Sequence, residues 1–176
     1  MTDITSTSFG LIIAFLLPGL TGLVSLSFWS VSVLRIFQAF LTVESNVGLF
    51  LLVVLTALTM GLLITIVRWV IFECWLCRSE KLQPADFASL GKKDGLEAFR
   101  AAVDEHYRYH QFWGGMTVAL PMFYAGWLHS VHSALDCLTT LWSLLVFLGL
   151  EVLLVVAAKA AYRNYVTRSR RIMTGG

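Results

Sequence analysis

The sequence predicts an all-α, polytopic membrane protein: four transmembrane helices, a short cytoplasmic helical insert, and an interfacial helix between the first two spans. Three observations carry this. Hydrophobic residues make up 57% of the 176 residues and charged residues only 14%, whereas soluble domains carry about 25% charged residues. Apolar runs at 8–29, 47–72, 112–128 and 138–158 each approach the roughly 20 helical residues that cross ~30 Å of hydrocarbon. A barrel would need short alternating segments, which the sequence lacks, so helices are left to satisfy the backbone in lipid. The chain has room for one bundle and one insert, and none for a separate catalytic domain of ordinary size.

The first span carries Gly10, Pro18, Gly19 and Gly22. Proline removes one helical hydrogen bond and glycine lets backbones approach, so close packing through Gly19 and Gly22, or a kink at Pro18, is expected. No basic residue precedes this run, so no cleaved leader is expected. Residues 30–42 are too short to cross, and Arg35, Gln38 and Thr42 recur at helical spacing on an otherwise apolar segment. That pattern predicts an amphipathic helix at the interface, with extension of the first helix as the alternative.

Lys and Arg fix the expected orientation. Arg78, Lys81, Lys92, Lys93, Arg100 and Arg108 follow the second span, and Lys159, Arg163, Arg168, Arg170 and Arg171 form a basic tail over 159–176, while Arg35 alone lies in the other connections. The positive-inside rule therefore puts both termini and the middle insert in the cytoplasm of a multi-pass cell-membrane protein. Cys74, Cys77 and Cys137 form no disulfide framework, and the first two should face a reducing compartment.

The insert, 78–111, has the composition of a soluble segment. A helix is expected from about Gly95, with Leu96, Phe99, Val103 and Tyr107 on one face and Arg100–Asp104 and Glu105–Arg108 pairs on the other, running unbroken into the third span. Its second half gathers Arg100, Asp104, Glu105, His106, Arg108 and His110 beside Tyr107, Tyr109, Phe112 and Trp113. Such residues suit the point where a helix enters the head-group layer, and equally a ligand or partner site there.

Glu151 lies deep in the fourth span, where a carboxylate costs a few kcal/mol unless paired, protonated or wet. Two roles are expected: an ion pair with Arg68, within or between subunits, or a hydrophilic path along Thr140, Ser143 and Glu151. Metal is a further candidate. Cys74 and Cys77 close the second span and His106 and His110 open the third, with zinc-type donors at zinc-type internal spacings.

No nucleophile elbow, phosphate-binding glycine loop or His-Glu-x-x-His pattern occurs, so the sequence offers no catalytic residues and no cofactor. Nucleic acid is not an expected partner, because attraction to anionic lipid accounts for the spread of basic residues. The expected partners are the lipid bilayer, further copies of the chain, and a soluble cytoplasmic protein. Two principal readings follow: a homo-oligomeric pore or membrane-perturbing assembly with Glu151 on its polar stripe, and a membrane sensor or adaptor recruiting a soluble partner through the insert. A component of bacterial antiviral defence fits either by class, and a small membrane enzyme or metal-binding protein using His106 and His110 is the third reading.

Overall fold

A computed structural model describes residues 2–42, 47–76, 99, 103–131 and 136–174. Among these the regular structure is helical throughout. In chain order the elements are α1 (Thr2–Trp29), α2 (Val31–Thr42), α3 (Val47–Trp69), a π-helical segment π1 (Val70–Leu76), a second one π2 (Val103–Tyr107), α4 (Arg108–Val131) and α5 (Cys137–Thr174).

Three stretches, Ile12–Trp29, Val47–Phe72 and Cys137–Ile172, are long and apolar enough to cross a membrane. The expected third span, 112–128, lies within α4, whose 24 residues reach about 36 Å. Its composition is less apolar because its buried face is small and polar: His110, Gly114, Gly115, Ala119 and Gly126. α4 packs against α1, α3 and α5.

The pairings define an up-down arrangement. Gly19 meets Ala57 and Gly61 meets Phe15, so α1 and α3 run antiparallel. Gly115 lies on Pro18 and Gly126 on Phe28 and Trp29, so α4 runs parallel to α1 over that whole stretch. α5 returns along α4, with Ser143 bonded to Tyr124 and Ala158 bonded to His110.

The close approach of α1 and α3 depends on missing side chains. A Cβ on Gly19 would stand 1.9 Å from the Ala57 carbonyl oxygen, and one on Gly61 2.1 Å from that of Phe15. In lipid, where burial of apolar surface does not drive helices together, such backbone contact supplies the dispersion attraction that does. The glycine-rich first span is thus a packing surface, and α1 continues through Pro18, which is fully buried.

Two points of the sequence reading are refined. The segment after Trp29 is a separate amphipathic helix, not an extension: Val33 and Phe37 of α2 pack on the cluster of Leu23, Val53 and Ala57, and a straight continuation would carry Val33 about 15 Å from Leu23. Arg35 and Gln38 on its other face are exposed. The basic stretch that begins at 159 continues the helix of the preceding apolar run, since α5 runs 38 residues, to Thr174. Ala, Tyr, Arg and Lys are compatible with helix beyond the apolar part, and no Gly or Pro stops it before Gly175. Of the insert, residues 77–98 and 100–102 lie outside the described residues. Phe99 is helical and π2 runs directly into α4.

Asp136 starts α5. Its side-chain oxygen accepts a hydrogen bond from the Thr139 hydroxyl and its carbonyl accepts from the Thr140 amide at 3.1 Å, as an N-cap does. The Thr139 hydroxyl holds the carboxyl below the usual carboxylate range.

Gly61→Ala should lower the thermal midpoint in nanodiscs by the equivalent of about 1–3 kcal/mol of overpacking. Gly149→Ala, where a Cβ meets nothing within 4 Å, should be neutral or slightly stabilising. A carboxyl depressed on folding stabilises above its unfolded pKa and loses that stabilisation as pH falls through the folded one. Acid should therefore destabilise the wild type more than Asp136→Ala, a difference readable from melting curves taken between neutral and acid pH.

Candidate functional site

The chemistry of this bundle gathers where α3 passes into π1, α4 begins, and α5 emerges from its apolar stretch. Arg68 ends the last turn of α3 and is only 2% exposed. A buried guanidinium needs an acceptor and room. His110 supplies the acceptor: Arg68 Nη1 lies 2.9 Å from His110 Nε2. Gly114, one turn along α4, supplies the room, since a Cβ there would sit 2.9 Å from both Cγ and Cδ of Arg68.

His110 is fully buried, and its second ring nitrogen is committed as well. Nδ1 lies 2.9 Å from the Ala158 carbonyl oxygen of α5, so Nδ1–H donates there and the Nε2 lone pair receives the Arg68 N–H. This is the tautomer that both neighbours require, and it makes the imidazole neutral. One ring thereby joins three helices that are distant in sequence.

Aromatic side chains close around it. Phe72 stands edge-on to His110 at 5.5 Å, Tyr162 lies at 5.0 Å and Tyr107 at 5.9 Å. Tyr107 and Tyr165 lie 5.1 Å apart and pack with Tyr162 and Val166. Phe99 extends this layer, 6.4 Å from Tyr165. Water is kept from the Arg68–His110 bond, which strengthens it electrostatically. The flanking π1 and π2 segments bracket the same point, a setting in which such widened turns recur.

Glu151 is placed elsewhere. It lies two turns before Ala158 on α5, about 10 Å along the axis, and its buried Oε2 has no hydrogen-bond partner among the described residues. Arg68 is therefore brought to His110, and the expected pairing with Glu151 is not formed within the chain. The depth inferred from span ends placed the two a turn closer than the packing does.

The expected polar stripe of α5 turns towards α4. The Ser143 hydroxyl lies 3.0 Å from that of Tyr124, Phe147 stacks on the Tyr124 ring at 4.3 Å, and the Thr140 hydroxyl donates to the Asp136 carbonyl at 3.0 Å. A shallow, mostly apolar groove of about 420 Å³ runs here, lined among others by Phe123, Trp142, Val146 and Leu150. The face of α5 turned away from α4 is exposed Leu and Val, including Leu145, Val152 and Val156.

In the predicted interface cluster, His106 meets Arg168 of α5, with Nη1 at 3.2 Å from Nε2. His110 points inward to Arg68, so the two histidines serve different neighbours. Arg108 is half-buried. The side chains of Arg100, Asp104 and Glu105 lie outside the described residues. So does Cys77, while Cys74 is half-buried and unoxidised. Among the described residues no group of three or more His, Cys, Asp or Glu side chains is placed to hold a metal ion. His110 in particular has no lone pair to offer, since one nitrogen carries the proton given to Ala158 and the other receives Arg68.

Sequence reasoning singled out both Arg68 and His110 but did not join them. The signal was present in Gly114-Gly115, the small pair one turn after His110, which marks where a bulky side chain crosses α4. Ala158, acting through its carbonyl, left no signal. No protein family, curated protein or solved structure matches this chain.

Arg68→Leu and His110→Leu should each destabilise the bundle, and the double variant should be less destabilised than the sum of the two. A coupling of about 1–2 kcal/mol is expected for a charged hydrogen bond in a membrane bundle, measured as a double-mutant cycle of unfolding midpoints. Additive losses would show that the two groups act independently.

Proposed function

We propose that the protein is a multi-pass membrane protein that works as an assembly of identical copies, with α5 at the contact between copies and Glu151 as the polar group the assembly shelters. The observation that carries this reading is the buried Glu151 Oε2, which finds no hydrogen-bond partner among the described residues, flanked by exposed Leu148, Leu150, Val152 and Leu153. A carboxylate at such a depth is stabilised by a partner, by water or by a proton. Further copies of the helix around a shared axis would bring the Glu151 groups together, where they can share a proton and enclose water.

In this reading α4 is the fourth crossing. Its support is that α4 runs beside α1 from the Pro18–Gly115 contact to the stacked rings of Trp29 and His129, 4.4 Å apart, so both cover the same depth. Four crossings put both termini on one side, and the distribution of Lys and Arg makes that side the cytoplasm. Because Ser143 and Phe147 face Tyr124, any hydrophilic path runs along the α4–α5 seam past Glu151, not over the outer Leu and Val face. Permeation of ions, or perturbation of the bilayer, is the activity this arrangement would serve.

A second reading, an adaptor for a soluble partner, draws on the length of α5. A single helix from Cys137 to Thr174 would carry a change of tilt in the bilayer to its basic end, where a soluble partner, in bacterial defence or another process, could read it.

Mass measurement of the nanodisc-embedded particle should give an integer multiple of 19.6 kDa, and Glu151→Leu should shift that multiple or abolish ion flux through liposomes. A monomer with no flux that retains a stoichiometric soluble protein would replace the first reading with the second.

A further inference from the structure

Ser143 of α5 meets Tyr124 of α4, and Ala158 meets His110, so Glu151, midway between them, lies level with the stretch 111–123 of α4. Glu151 follows Phe147 by four residues and precedes Ala158 by seven, spacings that keep it on the face α5 turns to α4. The facing stretch holds no ionisable side chain. The titratable groups that bound it are engaged, Tyr124 with Ser143 and His110 with Arg68 and Ala158. On π2, His106 meets Arg168 and Tyr107 packs on Tyr165, further along α5 still. On α5 itself the next charge is Lys159, about 12 Å along the axis. The buried Oε2 of Glu151 accordingly has no hydrogen-bond partner among the described residues.

We propose that Glu151 is a proton-binding carboxyl and that H⁺, not a metal cation, is the ion it serves; passage of that ion across the bilayer rests on the assembly reading, whereas its binding does not. A carboxylate in hydrocarbon with no cation or donor beside it sheds its charge by taking a proton. A metal cation would need several convergent oxygens, roughly six to eight for Ca²⁺, whereas 111–123 offers only the side-chain oxygens of Gln111 and Thr117. The Thr117 hydroxyl donates to the Trp113 carbonyl at 3.0 Å. Among the described residues no three His, Cys, Asp or Glu side chains gather to hold a metal ion. A proton needs a single lone pair.

The full-length chain in phosphatidylcholine liposomes is treated with dicyclohexylcarbodiimide, an apolar reagent that reacts with a protonated carboxyl. The carboxyl O–H adds across one C=N bond, oxygen to carbon and proton to nitrogen, and the acyl group then moves from that oxygen to the other nitrogen, giving an N-acylurea with no leaving group. One adduct is expected on the peptide that holds Glu151, absent from Glu151→Gln, falling as pH rises, and unchanged by added sodium or potassium. Glu151→Asp keeps a carboxyl at nearly the same depth, should still be labelled, and gives the answer if the Gln variant does not assemble. In the same liposomes an imposed pH gradient should collapse through the wild type and persist with Glu151→Gln. Labelling of Glu151 in a monomer that passes no ion keeps the proton site and removes the assembly reading. An unlabelled Glu151, labelling that sodium or potassium suppresses, or a gradient that collapses equally with Glu151→Gln overturns the proposal at any particle mass.

Discussion

A guanidinium taken out of water constrains this molecule more than any other group in it. Arg68 is buried at one end of the bundle, and two other helices, α4 and α5, accommodate it. The acceptor comes from His110 on α4, the space from Gly114 one turn on, and the orientation of the acceptor from the Ala158 carbonyl on α5. Moving α4 by one residue would bring either Gln111 with Gly115, or Tyr109 with the bulky Trp113, to these two positions. The bond thus fixes register as much as it contributes attraction, the role in which buried polar groups are best attested.

Two kinds of contact divide the work along the bundle. Between α1 and α3, and between α1 and α4, backbone and small residues meet directly, through Gly19, Gly61, Gly115 and Gly126. These surfaces are specific in shape but carry no charge. Between π2–α4 and α5 the contacts are polar and aromatic: His110 with Ala158, Tyr124 with Ser143 and Phe147 from α4, and Tyr107 of π2 with Tyr165. Among the described residues α5 packs chiefly on α4 and π2, which leaves much of its circumference to lipid or to other copies.

Much of this architecture was legible in the sequence because lipid imposes few solutions. Apolar runs of the right length, the glycines of the first span and the amphipathic pattern of 30–42 all translate directly into helices and faces. Arg68, His110 and Glu151 stood out because ionisable groups are costly at depth. What the sequence withheld was pairing. Depths counted from span ends carry an error of about a turn, and one turn decides whether Arg68 finds Glu151 or His110. The extent of α5 was hidden for a different reason: a change of composition from apolar to basic marks the edge of the bilayer, not the end of the helix, which only Gly175 and Gly176 signal.

The continuity of α5 makes it a lever whose fulcrum is the hydrogen bond at Ala158. The sixteen residues beyond that carbonyl form an arm of about 24 Å, so a rotation of about 5° in the apolar half would swing the tip by about 2 Å. Small changes in bilayer thickness or in contact between copies would then emerge as displacement of a positively charged helix end.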